Sequence, residues 1–140
     1  MVRFWKNPNV PSTPYAWFDV PGAAATVFDA VAAHGVNVDT ILQNVVHGVA
    51  ELSFSVPTED VQSARNAIED AKSELGAMEV EEDHDLGKVS LIGAGMRSHP
   101  GIAAKMFRTL ADLDINLRMI ATSPIKVSCM VQKSEVPRAV

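Results

Sequence analysis

The sequence predicts an α+β chain built from two copies of one β-α-β-β-α-β unit. Three observations carry this. First, Asp19-Val20-Pro21-Gly22-Ala23-Ala24-Ala25-Thr26-Val27-Phe28 returns as Ser98-His99-Pro100-Gly101-Ile102-Ala103-Ala104-Lys105-Met106-Phe107, 79 positions further on, and Asn37/Asn116 and Ile41/Ile120 keep that offset. An internal repeat of this kind defines the architecture before any single element does. Second, each Pro-Gly is followed by apolar residues at helical spacing: Ala24, Val27, Phe28 and Val31, then Ala103, Met106, Phe107 and Leu110. Third, runs with strand character flank these helices, such as the strict alternation of Glu51-Leu52-Ser53-Phe54-Ser55-Val56.

The elements follow in order. Residues 1–14 read as an irregular segment, because Pro8, Pro11 and Pro14 each lack a backbone donor. Arg3-Phe4-Trp5 has the composition of a short strand, but no alternation follows it. Tyr15 to Phe18, apolar and β-prone, occupies the place of the strand that enters the first unit. The first helix begins near Pro21, where a missing N–H costs nothing, and His34-Gly35 reads as its C-terminal turn with Gly at C′. Val36 to Leu42 reads as the next strand, His47-Gly48 as a turn and Glu51 to Val56 as the strand after it. Thr58 is the expected N-cap of a second helix, with Glu59 and Asp60 in its first turn and Val61, Ala64, Ala67, Ile68 and Ala71 as its apolar stripe. Gly76 ends it, and Met78 to Glu82 closes the unit as a strand. The acidic cluster Glu79, Glu81, Glu82, Asp83 and Asp85 reads as a solvated edge strand and linker rather than a metal site.

The first unit therefore spans 15–86, with a degenerate first strand, and the second 87–140. In the second, Lys88 to Gly93, Ile115 to Ile120 and Ile125 to Val131 are the expected strands. Only Gln132 to Val140 follow, so this unit is expected to lack its last helix and strand and to leave one side of its sheet uncovered.

Bulk composition bounds the function. The 140 residues suit two small units of about 70 residues that need a neighbour to complete their cores. A net charge of −5 argues against nucleic acid, whose phosphates need a basic face. No apolar run reaches the ~18 residues of a membrane span. The single cysteine, Cys129, sits in an apolar run, as a small buried hydrophobe would, and a chain without an internal disulfide suits a reducing compartment. The cytoplasm is the expected location.

No catalytic constellation is legible. Gly93-Ala94-Gly95 lacks the third glycine of a dinucleotide fingerprint, since Ser98 stands there. The histidines at 34, 47, 84 and 99 share no ligand spacing, and His34 suits a helix C-terminal dipole. No cofactor, metal or catalytic residue is expected. The Pro-Gly corners allow two readings. Each is a tight strand-to-helix turn, or each presents helix amides to a carboxylate while the absent Cβ of Gly22 and Gly101 lets a ligand come close and Asp19 takes an ammonium group. The second reading suits a free amino acid.

Lys88-Val89-Ser90-Leu91-Ile92-Gly93-Ala94-Gly95-Met96-Arg97-Ser98-His99-Pro100-Gly101 closely resembles the regulatory region of aspartate kinases. The match continues through Ala103 to Phe107, Ile115-Asn116-Leu117, Met119-Ile120 and Thr122-Ser123. In the first unit it covers Asp19 to Gly22, Asn37-Val38-Asp39, Gln43-Asn44 and Ser53-Phe54, so that it spans roughly 17–132. The resemblance implies two ACT domains, small ferredoxin-like units that pair sheet edge to sheet edge, often across a homodimer. In the family they bind lysine or threonine at the interfaces and inhibit an aspartate-phosphorylating kinase domain, and the region is sometimes made as a separate small subunit beside a catalytic one. It further implies effector contacts at Asp19, Pro21, Gly22 and Ala24, at Asn37, Val38, Asp39 and Gln43 opposite them, and at Met96, Asn116, Leu117, Thr122 and Ser123 in the second unit.

Departures from the pattern concern polar positions. Val46 stands where the family has Ser, Val49-Ala50-Glu51 where it has Thr-Thr-Asp, and Pro124 where it has Glu. Two function classes follow from the resemblance: an amino-acid-sensing regulatory module, or a structural, dimerising remnant that binds nothing. A small enzyme on the same scaffold is the third class, and no residue pattern supports it.

Overall fold

The computed structural model describes residues 1–5, 21–46, 49–75, 79–93 and 101–140. The chain divides into two compact units, Met1–His84 and Asp85–Val140. The first carries β1 (Val2–Trp5), α1 (Ala23–Ala33), β2 (Thr40–Val46), β3 (Val49–Ser55), α2 (Val61–Leu75) and β4 (Glu79–Glu82). The second carries β5 (Leu86–Ile92), α3 (Ile102–Asp112), β6 (Met119–Ser123), β7 (Lys126–Gln132) and a single turn, α4 (Val136–Ala139). The expected α+β class with repeated ferredoxin-like units is the observed one.

The first sheet is antiparallel with order β2-β3-β1-β4. Here the expectation for the N-terminus is corrected. Val2–Trp5 is a strand, paired with β3 on one side and β4 on the other. It fills the place in the sheet that was expected for Tyr15 to Phe18, which lie outside the described residues. The prolines that suggested irregularity all come after Trp5, so they leave the ladder of Val2–Trp5 intact.

Both helices of the repeat end the same way. The N–H of Gly35 donates to Ala32 O and that of Val36 to Val31 O, at 2.9 and 3.2 Å. Their counterparts, Asp114 and Ile115, donate to Ala111 O and Leu110 O, each at 2.9 Å. This double bond back into the last turn needs a left-handed residue at C′, and Gly35 and Asp114 have φ of 71° and 57°. The closing turn takes the residues just after each helix, so β2 and β6 start at Thr40 and Met119, later than the strands expected from Val36 and Ile115. The hairpins β2-β3 and β6-β7 each leave two residues between paired ends, Val46↔Val49 and Ser123↔Lys126.

The first core gathers Ala23, Val27 and Val31 of α1, Leu52 and Phe54 of β3, and Ala64, Ala67, Ile68 and Ala71 of α2. Phe28 meets Phe54 edge-on with ring centroids 5.6 Å apart, a favoured aromatic geometry. The chain does not enter α2 through a Thr58 N-cap. Thr58–Asp60 is a 3-10 turn whose N-cap position is Pro57, with no side-chain cap, and Glu59 and Asp60 lie in that first turn as expected. His34 lies at the end of α1, its Nδ1 3.0 Å from Ala30 O and its Nε2 3.3 Å from an Asp70 carboxylate oxygen of α2.

The second sheet has order β5-β7-β6, with β7 central. Val89, Leu110, Ile115, Val127, Cys129 and Val131 form its core. Burial pushes the Cys129 thiol up, away from the reactive thiolate. Its closing helix does begin, contrary to the expectation that it could hardly start. Val136 and Ala139 pack on this core, Lys133 N–H donates to Asp85 O at 2.9 Å, and Arg138 Nη2 donates to Leu113 O at 2.7 Å. Gly87 permits the contact, since a Cβ there would overlap Val136 Cγ2.

β4 is the acidic edge that the sequence suggested. Its residue Glu82 is only 10% exposed and is held by Arg65 Nε of α2 at 2.8 Å and His84 Nε2 at 3.0 Å. The hydrogen bond from Arg65 keeps the Glu82 carboxyl below its usual range. A carboxyl depressed in the folded state gives stability that is complete above its unfolded value of about 4.3 and is lost as pH falls through the lower folded value. In thermal melts from pH 7 to pH 3, the wild-type chain should lose stability steeply below pH ~4.5, and Glu82→Gln should flatten that limb while being less stable at pH 7. Parallel pH profiles for the two proteins would remove Glu82 from the account.

Candidate functional site

The Pro-Gly corner is a backbone device. Gly22 has φ 100° and ψ −18°, Gly101 φ 97° and ψ −4°. Both lie in the left-handed region that costs a side chain roughly 1–2 kcal/mol. Each is the N-cap of its helix, and its carbonyl accepts the first helical bond, from Thr26 N–H at 3.0 Å and Lys105 N–H at 2.9 Å. Neither helix has a side-chain cap or an acidic residue in its first turn. The leading amides of α1 and α3 therefore lack the oxygen that an N-cap Ser, Thr or Asp supplies. Pro21, Gly22 and Gly101 are exposed and Ala24 is half-buried, and among the described residues nothing stands within 4 Å of where a Cβ on either glycine would lie.

The second group of expected residues lies at the opposite end of α1. Asn37 and Asp39 are exposed and Val38 packs on the first core. They occupy the crossing between α1 and β2. Ser55 fixes that crossing: its carbonyl accepts Asp39 N–H at 3.0 Å and its Oγ accepts Thr40 N–H at 3.2 Å. The sequence reasoning missed Ser55. Its signal was the alternation that sets Ser53 and Ser55 against Leu52 and Phe54. Gln43 is exposed in the middle of β2. An 11-residue helix is about 16 Å long, so one copy of the unit does not bring Gly22 and Asn37 together.

In the second unit Asn116 is exposed and Leu117 packs on the core, again between helix and strand. Thr122 and Ser123 are exposed at the end of β6, where Ser123 Oγ accepts Ile125 N–H at 3.4 Å. Asp19 and Met96 lie outside the described residues. Two cavities are lined by described residues, and the second reaches Ile102, next to the Gly101 corner. One of about 490 Å³ is lined by charged side chains between α2 and β4, and one of about 510 Å³ lies between β5 and α3. Among the described residues, no three His, Cys, Asp or Glu side chains gather as a metal site requires, and no helix is long and apolar enough to cross a membrane.

Two helices opened by glycine corners without a side-chain cap, in two units of the same strand-helix-strand-strand order, define a duplicated ferredoxin-like α+β module. Comparison with known proteins gives the family. An ACT domain matches residues 18–76 and a second matches 89–140. The regulatory subunit of aspartate kinase from Thermus thermophilus, solved without ligand, is 33% identical, with a TM-score of 0.77 over 99% of this chain and 87% of that one. A structure of aspartokinase alpha and beta subunits is 36% identical, with a TM-score of 0.76 over 99% and 86%. The aspartokinase of Mycolicibacterium smegmatis is 43% identical over 125 residues, and the chain spans 30% of its length. The chain belongs to the aspartate kinase family, as its tandem-ACT regulatory part.

If the corners are set by backbone strain alone, Gly22→Ala and Gly101→Ala should each cost roughly 1–2 kcal/mol in urea unfolding at unchanged m, and Gly22→Asn less than Gly22→Ala. Equal stability of Gly22→Ala and wild type would show that the left-handed corner is not required.

Proposed function

We propose that this chain is an allosteric, amino-acid-binding module or subunit of a cytoplasmic aspartate kinase, and that its effector is lysine, threonine or both. The observation that carries this reading is the pair of helix N-termini opened by glycine with no side chain to cap them. Such amides hold a carboxylate by hydrogen bonding and by the helix dipole together. A free amino acid also brings an ammonium group, for which Asp19 is the partner in the first unit. The relatives, which are aspartate kinases, support the kinase, and the sequence resemblance supports lysine and threonine.

The reading includes a homodimer, because one copy separates its site residues. The two edges of the first sheet differ in a way that selects the pairing edge. β4 is Glu-Val-Glu-Glu, and charge on an edge strand blocks pairing. β2 is Thr-Ile-Leu-Gln-Asn-Val-Val, with no charge, proline or glycine, and its Ile41 and Leu42 are 50% and 41% exposed. A closed homodimer uses the same patch twice. An antiparallel β2-to-β2 pair sets the Thr40 end of one strand beside the Val46 end of the other. Asn37, Val38 and Asp39 of one copy then approach the Pro21, Gly22 and Ala24 corner of the second, with Gln43 at the centre. Met96, Asn116, Leu117, Thr122 and Ser123 take the matching places around the corner of the second unit. An effector bound between copies favours one dimer arrangement over another, and a tenfold preference is worth about 1.4 kcal/mol.

Lysine or threonine at about 100 times its Kd adds about 2.7 kcal/mol to the folded state, so the melting temperature should rise by roughly 4 °C or more. The variant Asn37→Ala changes only an exposed side chain. It should keep its unliganded melting temperature and lose the response. No response to any amino acid at millimolar concentration, from a chain that is folded and dimeric, would leave the structural remnant as the correct reading.

A further inference from the structure

The two units repeat their backbone but not their charge. In the first, Asp39 N–H donates to Ser55 O at 3.0 Å, and Thr40 then opens β2 opposite Ser55. In the second, Arg118 N–H donates to Met130 O at 2.8 Å, and Met119 opens β6 opposite Met130. Asp39 and Arg118 stand 79 positions apart, the offset of the repeat. They therefore hold the same place at the crossing from helix to strand, and both are exposed. A carboxylate in one copy is a guanidinium in the other.

The surroundings differ in the same sense. Thr40 Oγ1 donates to Asp39 Oδ2 at 3.4 Å, and the Ser55 hydroxyl lies behind it, accepting Thr40 N–H. The counterparts of these two residues are Met119 and Met130, each 7% exposed, and a thioether is only a weak acceptor. The corners diverge alike. Thr26 N–H donates to Gly22 O and Lys105 N–H to Gly101 O, so these residues are equivalent too, one neutral and one cationic. Asp112 and Asp114 stand at the C-terminal end of α3, where Arg138 Nη2, on Leu113 O at 2.7 Å, adds a further cation. Whole units follow the same sign. Met1–His84 holds 13 acidic and 4 basic residues, Asp85–Val140 holds 4 acidic and 8 basic.

We propose that the two units are not equivalent sites: the first alone receives the effector, an amino acid of net positive charge, and Arg118, helped by Lys105, excludes it from the second. This inference rests on the amino-acid-binding function proposed above and assigns its specificity. In the first unit Asp39 attracts an ammonium group, and the summed charge of the unit draws a cation toward it. In the second, Arg118 meets an ammonium with like charge, and the side chains of Met119 and Met130 offer no oxygen in place of its water. Two sites of one backbone are told apart most sharply by a group that repels the ligand at one of them. Lysine, with two ammonium groups, therefore binds the first unit more tightly than threonine, which has one.

Lysine, and separately threonine, is titrated into the ¹⁵N-labelled 140-residue chain and followed by calorimetry and NMR. One lysine is expected per chain, with saturable amide shifts at Asn37–Asp39 and none at Asn116–Arg118, and with weaker binding of threonine. Asp39→Asn should weaken lysine binding at least tenfold. Lys105→Thr/Arg118→Asp gives the second unit the residues of the first, so the stoichiometry should rise to two and shifts should appear at Asn116 and Leu117. The stoichiometry and shift map of the wild-type chain test the proposal even if that variant does not fold. Two lysines per wild-type chain, shifts at Asn116–Arg118, or tighter binding of threonine than of lysine would overturn it. A folded double variant that still binds one lysine would remove Arg118 as the determinant. No binding at either unit would end the proposed function itself, and this assignment with it.

Discussion

Everything in each unit is arranged around one backbone constraint, a glycine held near φ +100° where a connection becomes a helix. A side chain at that φ is strained, and a capping Ser or Asp adopts a different, extended backbone at the N-cap. The corner therefore fixes two things together. It sets the direction in which α1 and α3 leave, so that Val27 and Val31 face the first sheet and Leu110 the second. It also leaves the opening amides of those helices without a side-chain cap. The same two dihedral angles thus set the helix direction and, in the proposed function, the amides offered to a ligand, and the corner occurs in both copies although most other positions of the repeat have drifted.

The rest of the geometry determines how that corner can be used. A helix of three turns separates the corner from the Asn37-Val38-Asp39 crossing, and the crossing is itself clamped to β3 by both the carbonyl and the hydroxyl of Ser55. Neither end can move toward the other without breaking the unit. In the proposed function a second copy brings them together, paired at the uncharged β2 edge. The acidic β4 edge turns partners away, and its one inward carboxylate, Glu82, is spent on Arg65 and His84. The two edges of the first sheet thus differ in chemistry, one acidic and one without charge.

Much of this was legible from residue order. Pro-Gly at a fixed offset located both helix starts, and helical spacing picked out the buried faces of α1, α2 and α3. Gly35 marked the end of α1. What escaped had physical causes. Val2–Trp5 is too short to show alternation, and its place in the sheet comes from pairing with β3 and β4, which lie far away in sequence. β2 and β6 begin late because the helix-closing bonds claim the amides of Val36 and Ile115 first. Asp114 hides its left-handed backbone behind an ordinary side chain, where Gly35 announces it. The single turn of α4 is held by Val136 against Gly87 and by Arg138 on Leu113 O, contacts that span 25 residues or more and leave no local signature. For the candidate site, residue order did not show that Gly22 and Asn37 stand at opposite ends of α1, because that separation follows from the length of the helix.

The most direct test of the central claim is an amide titration. The ¹⁵N-labelled chain is followed while lysine, and separately threonine, is added. The account predicts saturable shifts concentrated at Ala23 to Thr26 or at Ile102 to Lys105, together with the Asn37–Asp39 or Asn116–Leu117 crossing. A ligand that binds while these opening amides stay unmoved would contradict it.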